Sequence, residues 1–148
     1  MKVGIFETPP QKWFPYGADV EVLLQFLEKE TVNDILMKGA EAAKKMKAKP
    51  THVQDIFLGK SAVLGWRNPS DHDQPGLSLP DGKPLPFTPE NRNLLIAKSQ
   101  RFSEFVYRTC TDETKFLDDD LPQLDAGDLR GLDDLLSEMA KEEKPGNE

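Results

Sequence analysis

Soft metal ligands and reactive nucleophiles are scarce in this chain. It has one cysteine, Cys110, and two histidines, His52 and His72. These three are scattered, without the short-range pairing that structural zinc sites require, so neither a metal nor a cofactor is expected. A lone cysteine excludes an internal disulfide and fits a reducing compartment. No glycine-rich loop that could cradle phosphates is present. No apolar run approaches the roughly 18 residues of a membrane span. The opening MKVGIFETPP is interrupted by Glu7 and two prolines and does not read as a signal peptide. These absences point to a cytosolic protein without a membrane partner.

Two acidic stretches resemble sites only superficially. Ser70 to Asp73, SDHD, contains the residue types of a catalytic triad. Adjacent residues rarely supply triad geometry, and a proline-bounded stretch reads as a solvated loop. DDDLPQLDAGD, from Asp118, has a proline where a calcium loop would continue, no central glycine and no closing bidentate Glu. The lysines at 38–49 form the nearest thing to a basic stripe, but a net charge of −7 opposes nucleic-acid binding, and a solvated helix face is the better reading. Enzymatic activity is not expected.

What the chain does have is an uneven charge. Residues 1–110 balance to +2, whereas residues 111–148 carry 4 basic and 13 acidic side chains, a balance of −9. Such a block behaves as a solvated tail or interaction arm rather than core. The expected organisation is a folded α+β body over 1–110 and an acidic, partly disordered, flexible tail over 111–148.

Within the body, MKVGIFE reads as a strand with Val3 and Ile5 on one face, and TPPQKWFPYGAD as a proline-bounded loop. VEVLLQF alternates with period two and reads as a second strand, giving a small antiparallel pair packed with a mostly helical remainder. TVNDILMKGAEAAKKMKAKP reads as a helix capped by Thr31 and closed by Pro50. A second helix is expected from Thr51 toward Trp66, followed by a loop from Arg67 to Pro80. Asp81-Gly82 reads as a two-residue turn, and Thr88-Pro89 as an N-cap followed by proline at the first helical position. That helix either continues or breaks near Ser99 before the stripe Phe102, Phe105, Val106. In the tail, Leu129, Leu132, Leu135, Leu136 and Met139 share one face of a short amphipathic helix, weakened by Gly127 and Gly131 at about 1 kcal/mol each.

Two groups of apolar residues stand where a small fold has least reason to bury them. Trp13, Phe14 and Tyr16 crowd into the first loop, where they either cap the open end of the sheet or form a binding surface. Leu132, Leu135, Leu136 and Met139 supply a second contact on the tail. Trp66 reads as a lid on the core.

The run from a strand pair through a helix to VLGW, then the Asp81-Gly82 turn, PLPFTPENRNLL, FSEFV and an acidic tail, resembles the tail assembly chaperones of long-tailed bacteriophages. The matching residues are Trp66, Asp81-Gly82, Leu85-Pro86-Phe87, Thr88-Pro89-Glu90-Asn91, Leu94-Leu95 and Phe105-Val106, within residues 15–110. The insert NPSDHDQPGLSL between Trp66 and the turn is longer than that pattern. The resemblance implies a protein of the infected host cytoplasm that binds the tape measure protein, a long helical chain, and keeps it soluble. It implies release when tail tube protein polymerises, so that the chaperone is absent from the mature virion, and recruitment of tube subunits through the tail. A homo-oligomer is compatible with this role. The competing classes are an acidic decoy that imitates nucleic acid and a minor structural tail subunit.

Overall fold

The computed structural model describes residues 1–117 and 135–139. Val3–Leu117 form one compact unit. Its elements are β1 (Gln11–Gly17), β2 (Val20–Gln25), α1 (Lys29–Met46), α2 (Pro50–Ala62), β3 (Val63–Arg67), α3 (Pro89–Lys98), α4 (Gln100–Cys110) and a short 3-10 turn, Glu113–Lys115. The strands form an antiparallel sheet in the order β1-β2-β3. In the second unit, residues 135–139 are helical, with Leu135, Leu136 and Met139 exposed. Leu132 and most of the acidic block lie outside the described residues.

The α+β class is observed, but the sheet has three strands, and only one of the two expected strands is among them. Residues 1–7 are irregular, with Val3 and Ile5 exposed and Phe6 turned inward against Phe26, ring centroids 5.2 Å apart. The first strand is instead the segment read as an aromatic loop. Gly17 pairs with Val20, so β1 and β2 are joined by a two-residue connection. Pairing residues 1–7 with β2 would close a longer loop and leave three aromatics unplaced. Pro15 is tolerated because β1 is an edge strand, and the register shifts between Pro15 and Gly17.

The third strand was hidden in a continuous apolar run. The second helix ends at Ala62, and Val63–Arg67 pair with β2, so Trp66 lies on a strand rather than at a helix end. It does lie in the core: its ring is buried and its Nε1–H donates to the Leu85 carbonyl at 2.8 Å. Phe87 and Phe102 stand edge-on to the indole, at 4.9 and 6.0 Å.

Three local readings need correction. Thr31 does not cap α1, which starts two residues earlier, at Lys29. Glu28 and Glu30 suit the positive end of the helix dipole there. Asp81-Gly82 is not a two-residue turn; Gly82 N–H donates to the Leu79 carbonyl and Leu79 N–H to the Lys83 carbonyl, both at 2.8 Å. The loop therefore has three residues, Pro80-Asp81-Gly82, with Gly82 alone at positive φ, 91°. The compact unit also passes 110: Phe116 is buried against Phe14 and Phe26, inside the stretch that charge alone assigned to the tail.

Other expectations hold. Thr88 Oγ1 accepts from Asn91 N–H at 3.0 Å and Pro89 opens α3. The chain breaks at Ser99, whose hydroxyl accepts from Phe102 N–H and caps α4. The core joins Val22, Leu24, Val63 and Trp66 of the sheet to Leu58, Ile96, Phe102 and Val106 of the helices. At the α1–α2 crossing, Gly39 permits close approach, since a Cβ there would lie 2.8 Å from Gln54 Cα.

Candidate functional site

Strand alternation divides the three aromatics of β1. Phe14 pairs with Val22, which in turn pairs with Trp66, so Phe14 points to the helical side of the sheet. Its ring meets Phe116 at 5.1 Å. Tyr16, at the bulge, packs on Phe102 and Phe105 at 5.2 and 4.8 Å. Both support the core from its edge. Trp13 pairs with Leu23, which pairs with Gly65, and this row lies on the opposite face. Neither Trp13 nor Leu23 belongs to the core cluster.

The opposite face is therefore the one that the core helices of the compact unit leave uncovered. Its middle is the row Trp13–Leu23–Gly65, and Gly65 matters because it has no side chain. The tip of the Trp13 indole lies 3.7 Å from where a Cβ would stand, so the ring extends across the sheet. The next row is Pro15–Glu21–Arg67. Arg67 places its guanidinium 3.8 Å from the Trp13 ring centroid, a stacked cation–π contact. Its Nε–H donates to Glu21 Oε1 at 2.6 Å, which holds the guanidinium over the ring. His72, exposed on the following loop, brings Nε2 to 4.0 Å from the same oxygen. The loop is held by its own backbone bonds, including Asn68 N–H to the Gln74 carbonyl at 2.8 Å. The result is a half-buried apolar centre edged by a fixed ion pair.

The sequence grouped Trp13 with Phe14 and Tyr16, and the structure brings all three onto one strand but onto two faces. Arg67, Glu21, Leu23 and Gly65 were missed. Period-two alternation in β2 was the available signal for Glu21 and Leu23; Arg67 and Gly65 required recognising β3.

The helical side carries a groove of about 920 Å³ between α2 and α4, lined by Asp55, Ile96, Lys98, Glu104, Tyr107 and Arg108 among others. Its two acids and two bases set no single ligand charge. Burial raises the Asp55 carboxyl above its ordinary value, and the nearby His52 partly offsets this. Cys110 is buried and its thiol is pushed up to about 12 by desolvation, so it is a core residue rather than a nucleophile. Among the described residues, no group of three or more His, Cys, Asp or Glu side chains could hold a metal ion. No helix among them is long and apolar enough to cross a membrane. Compared with protein-family models, curated proteins and solved structures, the chain finds no match.

Proposed function

We propose that this chain is a tail assembly chaperone of a long-tailed bacteriophage, and that the uncovered sheet face is where it holds the tape measure protein. The observation that carries the reading is the placement of Trp13 and Leu23 outside the core cluster, on the sheet face opposite Phe14, Val22 and Trp66. With strands about 4.8 Å apart and rising about 3.3 Å per residue, the face measures roughly 14 by 20 Å. That is the footprint of one helix, about 10 Å across, and too little for a stable interface, which takes about 800 Å² per partner. Weak, repeated contacts along a long client suit a holder that must later let go.

In this reading Phe14 and Tyr16 support the site from behind, and Trp13 is the anchor. The exposed Leu135, Leu136 and Met139 offer a second contact on a separate unit, with Leu132 completing the apolar face in sequence. Two weak contacts joined by a linker raise avidity through effective concentration. The second contact is also the one proposed for tail tube protein. The role needs no catalysis and places the chain in the host cytoplasm, outside the finished virion.

Co-expression with the long helical product of a neighbouring gene tests the assignment. The client should stay in the supernatant with the intact chaperone and precipitate alone. A client whose solubility is unchanged by the chain contradicts the assignment.

A further inference from the structure

Where α4 meets the edge strand, positive charge exceeds what its neighbours neutralise. Arg101, Glu104, Phe105 and Arg108 recur at three- and four-residue spacing, so they share one side of the helix. With Pro15 and Tyr16 of β1, Thr109 and Lys115 they line a pocket of about 320 Å³ inside the compact unit. Tyr16 and Phe105, ring centroids 4.8 Å apart, give it an aromatic wall. Lys115 is brought there by the 3-10 turn after α4. Burial of Phe116 fixes that turn, and so does a 3.2 Å bond from Lys12 Nζ to the Lys115 carbonyl.

The charged lining is three cations and one acid, a balance of +2 in a chain of net charge −7. None of Arg101, Arg108 and Lys115 makes an ion pair among the described residues. The acids nearest in sequence are engaged elsewhere. Glu104 Oε1 accepts from Gln100 Nε2 at 3.1 Å, Asp112 Oδ1 from the Thr114 hydroxyl at 2.6 Å, and Glu113 from the Gly4 N–H. Arg101 instead stands 5.8 Å from the Tyr16 ring centroid, a cation–π contact that holds it at the wall. Cations gathered around one concavity repel each other and concentrate anions from solution.

Thr109 is an independent observation. It is the polar side chain that the fold buries among the described residues, 3% exposed. Its hydroxyl makes no hydrogen bond there, yet no buried side-chain oxygen is sealed off without a partner. The hydroxyl therefore opens into the pocket that Thr109 lines, as a donor free for a ligand oxygen.

We propose that this pocket binds a small phosphate monoester. Arg101, Arg108 and Lys115 hold the phosphoryl dianion, whose charge matches the +2 lining, and Thr109 Oγ1 donates to it. Arginine forks suit phosphoryl oxygens, and the organic part packs on Tyr16 and Phe105. The pocket volume is at the lower end of small-molecule sites, about 300 Å³, which limits the ester to a compact one. The site uses none of Trp13, Leu23 and Arg67 and stands whether or not the open sheet face binds a client.

Nuclear magnetic resonance titration of the nitrogen-15-labelled full chain tests it, with phenyl phosphate, inorganic phosphate and benzoate as probes. The titrations run at a fixed ionic strength of about 0.1 M, and at about pH 7.5, above the second phosphate pKa of about 6. Phenyl phosphate should give saturable amide shifts centred on Tyr16, Arg101 to Thr109 and Lys115. It should bind several-fold tighter than inorganic phosphate, which lacks the ring, and than benzoate, which lacks the second charge. Arg108→Gln and Lys115→Gln should each weaken binding by about fivefold, the scale of one charge-assisted contact at an exposed site. Glu104→Gln should tighten it. Thr109→Val should weaken it without lowering the melting temperature, and Lys49→Gln, far along the chain on the α1–α2 corner, should leave it unchanged. Shifts that never saturate, or affinities unchanged in Arg108→Gln and Lys115→Gln, would overturn the proposal. Benzoate binding as tightly as phenyl phosphate would reduce the site to a general carboxylate-or-phosphate patch, and inorganic phosphate binding as tightly would remove the ester; either result overturns it as well.

Discussion

Gly39→Ala should destabilise the body although alanine is the better helix former. The new Cβ would stand 2.8 Å from both Cα and Cγ of Gln54 and 3.2 Å from its backbone nitrogen. Cγ can rotate away, but Cα and N belong to α2 and move only with the helix. Ordinary contact needs close to 3.6 Å, so the helices must part by several tenths of an ångström. That separation also stretches the 2.8 Å bond from Gln54 Nε2–H to the Leu36 carbonyl. Overpacking of this kind costs about 1–3 kcal/mol, the upper end applying when backbone must yield. The gain in helix propensity returns about 1 kcal/mol, which leaves about 2 kcal/mol net loss. At about 4 °C per kcal/mol for a body of this size, melting should fall by about 8 °C. Lys38→Ala, exposed on the same helix, is the control and should change melting by less than about 2 °C by the same scale. A Gly39→Ala protein that melts with or above the wild type refutes the close crossing of α1 and α2.

Further outcomes follow from individual contacts. Trp66→Phe keeps the ring but leaves the Leu85 carbonyl without its buried donor; chemical denaturation should show a loss of about 1–3 kcal/mol, and no loss would contradict the bond. Thr88→Ala and Ser99→Ala should each cost about 1 kcal/mol in the same assay and add, because they cap different helices. The Cys110 thiol, raised from 9.0 to about 12 on folding, stabilises fully below pH 9 and loses its contribution between pH 9 and about 12, as the unfolded chain ionises first. The fall in stability over that window should therefore be steeper in the wild type than in Cys110→Ala, and equal slopes would contradict its burial.

The sequence was informative where local chemistry acts alone. Thr88-Pro89 and Ser99 cap their helices through side-chain oxygens placed by three-residue spacing, and no distant contact competes with them. The alternation of Val20, Val22 and Leu24 likewise survived folding, since those residues fill the centre of the sheet. It failed where the deciding partner is remote. Val3 and Ile5 have strand propensity, yet β2 pairs with residues 11–17 across a two-residue connection, and that local closure prevails. Val63–Arg67 follows α2 without glycine or proline to mark the change, so only pairing with β2 defines the strand. Trp13 was visible as an unusual aromatic, but its separation from Phe14 and Tyr16 depends on β1 being a strand. The Arg67–Glu21 pair that edges Trp13 joins residues 46 positions apart and had no signal in the sequence.

The central claim is that Trp13 anchors a client on the open sheet face while Phe14 packs against the core from the other face. It is tested most directly by titrating a soluble helical client fragment into the Trp13→Ala protein at a temperature well below its melting point. Loss of an interface anchor of about 2 kcal/mol predicts binding weaker by about 30-fold. An affinity within about threefold of the wild type, with the protein folded, would mean that the client does not use this face.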